Sequence, residues 1–251
     1  ATVVAEPAHK ASLAVRLLAL GTITPVNTVT VRSRVDGQLQ KLHFQEGAAV
    51  EAGAPLADID PRPFEAQKQQ AEAQLARDNA LLENARADLA RFTALLADNS
   101  ISQQQATTQQ ALVRQYEAAV RVDQAQVESA DLQLAYAHIT APVSGRAGLR
   151  LVDVGNMIHA SDQNGIVVIT QLHPISVLFS IPQESLPRIM ARFKAGETIS
   201  IEAFDRDGRT LLAKGQLVTI DNQIDPSTGT VKLRGEFAND DEALFPNQFV
   251  N

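Results

Sequence analysis

Residues 61–136 carry two successive apolar repeats with a period of seven, and no other feature of the sequence constrains the fold as strongly. Repeats of this period build the seam between two packed helices, because they keep one apolar stripe on one face. The seam positions are Leu75, Leu82, Leu89 and Leu96 with Ala71, Ala85 and Phe92 in the first segment, and Val113, Val120, Val127 and Leu134 with Tyr116 and Ala130 in the second.

Local signals predict where both helices begin and end. Asp60-Pro61 is typical of a helix start, with a capping carboxylate followed by proline at the first helical position. Asn99 tolerates the left-handed conformation that ends a helix, and Ser102 with Gln105 has the pattern of a capping box. Two helices of roughly 35 residues would form an antiparallel hairpin on the order of 50 Å long.

The two repeats meet in register if the chain reverses near residue 101. Leu75 then faces Val127, Leu82 faces Val120 and Leu89 faces Val113. The same register places Asp78 opposite Asp123. We expect both carboxylates to turn out to solvent, because a two-helix seam is open along its sides. The alternative hypothesis is a proton-sensitive pair, in which one carboxylate raises the pKa of the other.

The segments on either side of this predicted hairpin resemble each other. Residues 31–37 align with 139–145, and residues 45–50 align with 153–158. The four turn glycines, Gly37, Gly47, Gly145 and Gly155, keep one separation of 108 residues, so the alignment needs no gap. Glycine is the residue that tight or left-handed turns require. We therefore predict two half-domains of short strands that pack on each other, with the hairpin inserted between them.

A third region predicts a small β-barrel. Residues 12–18 alternate as a half-buried strand does, and further strand-like stretches follow His173-Pro174. These stretches are 175–181, 198–204, 211–220 and 230–237, with one short helix predicted over 184–194.

Composition excludes several classes of function. The net charge is −7 without any run of basic residues, which disfavours nucleic acid and anionic membrane surfaces. The absence of cysteine excludes disulfides and thiolate metal sites, and the longest apolar run is far too short to span a membrane. Only 4% of residues are aromatic, which is unusual for a compact ligand pocket.

No catalytic, cofactor-binding or metal-binding site is predicted. The five histidines, His9, His43, His138, His159 and His173, lack the spacing of metal ligands. The sequence contains neither a glycine-rich phosphate loop nor a nucleophile elbow. We therefore expect a protein that is not an enzyme and that binds no small-molecule substrate.

Each flanking half resembles half of a biotinyl or lipoyl domain, in its order of apolar strand, Val-x-Gly turn, strand and acidic-x-Gly turn. Carrier domains of that kind present a lysine on a short turn between the halves. None of the six lysines of this chain occupies that place, where the hairpin is found instead. A carrier protein stays an alternative that the mass of the native protein would decide.

The order of half-lipoyl domain, helical hairpin, second half-lipoyl domain and β-domain is similar to that of membrane fusion proteins, the periplasmic adaptors of tripartite efflux pumps. Members that engage TolC-like channels carry an Arg, a Leu and a Ser at the hairpin tip, which correspond to Arg91, Leu95 and Ser102 here. The acidic residue that often follows in the family is replaced by the Gln/Thr-rich run 103–110.

Within the family, the chain most resembles the MdtA-like branch of adaptors for RND transporters. The resemblance is carried by Thr-Ala-Pro-Val-Ser-Gly-Arg at 140–146, Asp-Val-Gly-Asn at 153–156, Gly-Ile-Val-Val-Ile-Thr at 165–170, Asp-Asn-Gln-Ile-Asp at 221–225 and Phe-Pro-Asn-Gln-Phe-Val at 245–250.

The resemblance implies an α+β multi-domain fold, in which a split lipoyl-like β-domain carries an inserted antiparallel coiled-coil hairpin next to a small β-barrel. The expected domains are 29–60 with 137–171 for the lipoyl-like part, 61–136 for the hairpin, and 1–28 with 172–251 for the barrel, whose C-terminal part is expected to be incomplete. A membrane-proximal domain, and a signal or lipid anchor, would belong to the longer protein.

The implied partners are an inner-membrane RND transporter, a TolC-like outer-membrane channel and further copies of the chain, as a hexamer in the assembled pump. The implied location is the periplasm of a Gram-negative bacterium, in association with the inner membrane. An adaptor of an ABC-type or major-facilitator exporter uses the same modules and is the nearest alternative.

Overall fold

The computed structural model describes residues 16–251, which divide into two compact units. One unit is Thr28–Thr170, and the other combines the chain up to Asn27 with Gln171–Asn251. In the predicted strand over 12–18, residues 12–15 lie outside the described residues, and residues 16–18 are not in a strand. Among the described residues the first strand begins at Gly21.

The elements follow one another in the chain as β1 (Gly21–Pro25), β2 (Thr28–Val31), β3 (Gly37–Leu42), β4 (Ala49–Val50), β5 (Pro55–Ile59), α1 (Arg62–Ala97), α2 (Gln103–Ala137), β6 (His138–Thr140), β7 (Gly145–Ala147), β8 (Met157–Ile158), β9 (Val167–Thr170), β10 (Ile175–Pro182), a 3-10 turn (Gln183–Ser185), α3 (Leu186–Lys194), β11 (Ser200–Phe204), β12 (Leu211–Asp225), β13 (Thr230–Phe237) and β14 (Phe249–Val250).

The unit Thr28–Thr170 contains a β-sandwich of two four-stranded sheets, in the orders β2-β9-β7-β4 and β6-β5-β3-β8. Both sheets mix strands from before and after the helices. Alternating aliphatic side chains of both sheets form one apolar core, as strands with one buried face do. Its fully buried members include Leu39, Leu56, Ile59, Ile166, Val167 and Ile169.

The two sequence halves of this sandwich exchange strands with each other. Gly37 of β3 pairs with Ile158 of β8, and Gly145 of β7 pairs with Val50 of β4. Each pair joins the first glycine of one half to the third strand of the other half. The repeat is therefore a pseudo-symmetric sandwich, and neither half has all of its strand partners without the other.

The turn glycines differ in what they require. Gly47 and Gly155 have φ values of +76° and +95°, the left-handed region that glycine adopts without strain. Gly37 and Gly145 begin strands β3 and β7 and are not in that region, so the expectation of turn geometry there is wrong. At Gly37 the need is for space, since a Cβ would lie 2.5 Å from Cγ2 of Ile59.

The helices α1 and α2 begin and end close to the predicted positions. Pro61 precedes the first turn of α1, and the Asp60 carboxylate accepts from the Arg62 amide at 3.1 Å. Asn99 has a φ of 56° after the end of α1. At the start of α2 the predicted capping box is present, with Ser102 and Gln105 each bonded to the other's backbone amide.

The other unit contains a six-stranded antiparallel sheet in the order β11-β12-β13-β10-β1-β14. Its two outer strands meet, because Phe204 and Asn251 exchange backbone hydrogen bonds of 2.8 Å and 3.2 Å. The sheet therefore closes into a barrel around Ile23, Ile175 and Phe237. β12 reaches Asp225, five residues beyond the predicted strand end, with irregular pairing to β13 on the way.

Candidate functional site: the helical hairpin

Apolar packing holds the two helices together along the predicted seam. Leu82, Ala85 and Val113 are buried in one cluster, against which Leu89, Tyr116 and Val120 pack in part. Of the other seam residues, Ala71, Val127 and Ala130 are buried, and Leu75, Phe92, Leu96 and Leu134 are half-buried. The seam thus has buried positions from the root to the middle of the hairpin and is more open toward the chain reversal.

Polar contacts between the helices add to this seam. The side chain of Gln109 is buried and donates from Nε2 to the carbonyl oxygen of Ala85 at 3.0 Å. Arg86 binds Glu117 at 2.8 Å, and Lys68 binds Asp131 at 2.7 Å. The sequence reasoning missed these contacts, although the helical register would have placed Arg86 near Glu117. Such exposed pairs contribute up to about 1 kcal/mol each, so they fix register more than they supply stability.

The pair Asp78 and Asp123 differs from expectation. The expected outward orientation is wrong for Asp78, which is only 7% exposed and binds Arg77 Nε at 2.8 Å. Asp123 is half-buried, and within residues 16–251 its Oδ2 atom is buried without a hydrogen-bond partner. The ion pair between Arg77 and Asp78 joins neighbouring residues of α1. The register between the helices, which placed Asp78 opposite Asp123, therefore gave no indication of this ion pair.

The pKa values of the two carboxyl groups move in opposite directions. The hydrogen bond from Arg77 is the main cause that lowers the pKa of Asp78, and burial opposes it. Burial raises the pKa of Asp123, and the negative charge of Asp78 raises it further. The neighbouring carboxylate therefore acts as the alternative hypothesis assumed, in addition to desolvation.

The hairpin tip presents the three residues of the predicted channel contact. The side chain of Arg91 is 69% exposed and binds Asp88 one turn away at 2.7 Å. Leu95 is half-buried, and its carbonyl oxygen accepts from the Ser100 amide at 2.9 Å in the reversal. Ser102 is exposed and caps α2. The tip is thus an ordered turn with a polar surface that a partner can reach.

The root of the hairpin is anchored in the sandwich core. Ala137, the last residue of α2, is fully buried there, and Phe64 and Tyr136 pack against the same core from the first turn of α1 and the last turn of α2. The guanidinium of Arg34 lies 4.9 Å from the centre of the Tyr136 ring, a cation–π contact that ties the helix to the segment between β2 and β3.

A second cluster at the root was missed by the sequence reasoning. Each oxygen of the Asp58 carboxylate has its own histidine: Oδ2 lies 2.6 Å from His43 Nε2, and Oδ1 lies 2.9 Å from His138 Nδ1. Burial works to raise the pKa of Asp58, but the hydrogen bonds from His138 and His43 outweigh it and lower that pKa. The residues are 15 and 80 positions apart, so only the strand pairing brings them together.

No helix within residues 16–251 is long and apolar enough to cross a membrane. The same residues contain no group of three or more histidine or acidic side chains placed to hold a metal ion.

Comparison with known families identifies the class of protein. The model of the RND membrane fusion protein barrel-sandwich hybrid domain matches residues 27–170, and that of the RND membrane fusion protein β-barrel domain matches residues 174–251. The chain therefore belongs to the RND membrane fusion proteins, and the predicted fold class is confirmed.

Within this family the chain is similar to multidrug resistance protein MdtA. It is 54% identical over 235 residues to MdtA of Salmonella heidelberg (strain SL476), which covers 94% of this chain and 57% of that protein. Against MdtA of Pectobacterium carotovorum subsp. carotovorum (strain PC1), the identity is 53% over 251 residues, or 100% of this chain and 61% of the relative. The chain thus spans about three fifths of the length of these relatives.

Two solved structures share the fold. The membrane fusion protein Spr0693 from Streptococcus pneumoniae R6 superposes with a TM-score of 0.69 at 17% identity, over 93% of this chain and 99% of that chain. A MacA-MexA chimeric protein that contains the Pseudomonas aeruginosa MexA α-hairpin domain gives a TM-score of 0.60 at 24% identity, over 92% and 77%.

Proposed function

We propose that the chain is the hairpin-bearing part of a non-catalytic periplasmic adaptor, which links an inner-membrane RND drug efflux transporter to a TolC-like outer-membrane channel. The observation that carries this proposal is the hairpin itself. Its root is anchored in the sandwich core, and it exposes an ordered tip about 35 residues, on the order of 50 Å, away.

The hairpin is suited to bridging because it is stiffened along its length. The central seam is buried, Gln109 and Arg86 add contacts between the helices, and the capping box orders the first turn of α2. A partner that docks on an ordered tip loses little additional conformational entropy, which favours binding. A stiff connection also transmits movement of a transporter to a channel, and a flexible linker would absorb it.

The proposal assigns the channel contact to Arg91, Leu95 and Ser102. Arg91 and Ser102 offer exposed hydrogen-bond donors, and Leu95 offers a partly exposed apolar side chain. Helices docked side by side use this combination of a central apolar anchor and a polar surround. Family membership supports the transporter class and the periplasmic location. The proposal adds a hexamer of adaptor copies around the pump, as the family resemblance implies.

Site-directed crosslinking in cells tests the bridging role. Residues 1–251 contain no cysteine, so Leu95→Cys and Ser102→Cys each introduce the one thiol of this part of the protein. Both should crosslink to cysteines on the periplasmic end of a co-expressed outer-membrane channel. The matched control is Ala73→Cys, an exposed position on α1 near the root, which should give no channel product. Equal crosslinking from all three positions, or none from the tip, would refute the proposal.

A second test separates the tip residues from the hairpin as a whole. Arg91→Ala should reduce drug export and channel crosslinking without changing the helical content. Arg114→Ala, an exposed arginine of α2 farther from the tip, is the control and should leave export unchanged. If both variants behave alike, Arg91 has no specific role in the contact.

A further inference from the structure

The middle of the hairpin contains a pair of acidic side chains that the bridging role does not require. Asp78 is buried on α1 one turn before the buried Leu82, and the side chain of Asp123 from α2 lies against it. Asp78 is 7% exposed, and acidic residues are rarely so buried unless they are paired. An apolar residue at either position would continue the seam, so the pair needs a physical explanation.

The hydrogen bonds at the pair are incomplete. Asp78 accepts from Arg77 at 2.8 Å and from Gln74 Nε2 at 3.5 Å. Oδ2 of Asp123 is buried and has no partner among residues 16–251. Two ionised carboxylates have only acceptor atoms, so they cannot bond to each other. A buried acceptor without a donor is destabilising, and a second negative charge beside it increases that cost.

A single proton on the pair supplies the missing hydrogen-bond donor and also removes one of the two negative charges. A protonated Asp123 becomes a hydrogen-bond donor toward Asp78, whose carboxylate stays charged beside Arg77. The groups that face the pair are Arg77, Asp78 and the uncharged Gln74 from α1, together with Asp123 from α2. The order of protonation follows from this environment, because Asp78 has a cation next to it and Asp123 has mainly the opposing carboxylate.

We propose that Asp78 and Asp123 form a proton-binding site across the seam, which joins α1 to α2 when it holds one proton and loosens the middle of the hairpin when it is empty. The raised pKa of Asp123 gives the direction. A group with a raised folded-state pKa stabilises the fold at low pH, and that stabilisation is lost as the pH rises through the folded-state value. Through Asp123 the middle of the hairpin is therefore tighter below its folded-state pKa than at neutral pH, whereas the lowered pKa of Asp78 acts in the opposite direction in stronger acid.

The consequence for export rests on the proposed bridging function, because a hairpin that stiffens in acid would change how the tip is presented to a channel. The proton site itself does not depend on that function. It is a property of two side chains and can be measured on the isolated chain.

Carboxyl-carbon NMR titration tests the site directly. In a chain labelled with 13C at aspartate side chains, Asp123 should titrate above its ordinary value and Asp78 below it. The signals are assigned with Asp78→Asn and Asp123→Asn. Asp78→Asn should move the Asp123 midpoint down, because it removes the opposing negative charge. A normal Asp123 midpoint, or one that Asp78→Asn leaves in place, would overturn the proposal.

Amide hydrogen exchange tests the mechanical effect. Asp123→Asn imitates the proton-bound state, because its amide group donates to Asp78 at every pH. The ratio of wild-type to Asp123→Asn exchange rates over residues 75–82 and 120–127 should be near one in acid and rise as the pH increases. Intrinsic exchange chemistry cancels in this ratio. A ratio that stays constant across the pH range would exclude the loosening.

Asp88→Asn is the matched control for exchange, since Asp88 is also an acidic residue of α1 but bonds Arg91 on its own helix. This variant should keep the wild-type pH trend in the two central segments, and loss of the trend would show that the pair is not its cause. Both experiments omit channel and transporter. A negative result therefore refutes the proton site alone, whereas absent tip crosslinking refutes the bridging function alone.

Discussion

Gly155 donates its backbone amide hydrogen to the carbonyl oxygen of Leu39, 2.8 Å away, from the other side of the hairpin insertion. The pseudo-equivalent bond runs from Gly47 to Ala147 at 2.9 Å. Each glycine thus closes a turn of its own half against a strand of the opposite half. Because the helices start and end in this sandwich, the exchanged turns also hold the two ends of the hairpin together.

Alanine substitution distinguishes two kinds of glycine in the sandwich. Gly155→Ala places a Cβ in open space at a φ of +95°, so only backbone strain of about 1–2 kcal/mol is expected. Gly165→Ala adds overlap to strain, because its Cβ would lie 2.7 Å from the Val31 carbonyl oxygen, and should destabilise by about 3–5 kcal/mol. Urea unfolding followed by strand-specific hydrogen exchange measures both, and equal losses would contradict this account.

The hairpin and the turns at Gly47 and Gly155 were predictable because each depends on local spacing. A seam of period seven and the capping signals at Asn99 and Ser102 leave few alternatives to two helices joined by a short reversal. The constant separation of the turn glycines likewise indicated two matching halves. What spacing could not show is that Gly37 pairs with Ile158 and Gly145 with Val50, since strand partners are chosen by long-range packing.

The finer chemistry of the hairpin was less accessible for a similar reason. His43 and His138 meet Asp58 only after β3, β5 and β6 have paired. The burial of Asp78 depends on the side-chain orientation of Arg77, and adjacent residues on a helix do not normally face each other. The helical register therefore predicts which residues lie opposite one another, but it does not predict which side chain forms the ion pair with a buried carboxylate.

Two neighbouring leucines test whether the buried seam stabilises the hairpin. Leu82 is 6% exposed and Leu81 is 38% exposed. Leu82→Ala removes buried methyl groups from the central cluster and should lower the local stability of the hairpin by about 2–3 kcal/mol. Leu81→Ala should change it by less than about 0.5 kcal/mol. Hydrogen exchange within α1 and α2 gives both values, and similar losses would argue against the packing described.

Acid should weaken the start of α1 through Asp60. The hydrogen bond from Arg62 is the main cause that lowers the pKa of Asp60 from 3.8 to about 2. A lowered folded-state pKa gives stabilisation that is present above the unfolded value and is lost as the pH falls through the folded one. The contribution should therefore disappear between about pH 4 and pH 2.

Carboxyl-carbon NMR measures the Asp60 midpoint, and Arg62→Ala supplies the comparison. Without the guanidinium the midpoint should return toward 3.8, and exchange in the first turn of α1 should lose most of its dependence on acid. A midpoint that stays near 2 in Arg62→Ala would assign the shift to the backbone amide of residue 62, which also bonds the carboxylate.

Ser102 should have a structural role that can be separated from its proposed contact with the channel. Its Oγ accepts from the Gln105 amide at 3.4 Å, and Gln105 Oε1 accepts from the Ser102 amide at 3.0 Å. Ser102→Ala removes the first bond and should cost about 1 kcal/mol in the first turn of α2, or about a fivefold rise in amide exchange there. Ser102→Thr keeps a capping hydroxyl and should cost less. If Ser102→Thr weakens channel crosslinking from Leu95→Cys while amide exchange stays slow, the channel contact requires the serine side chain itself. If crosslinking decreases in step with faster exchange in both variants, Ser102 acts only by ordering the tip.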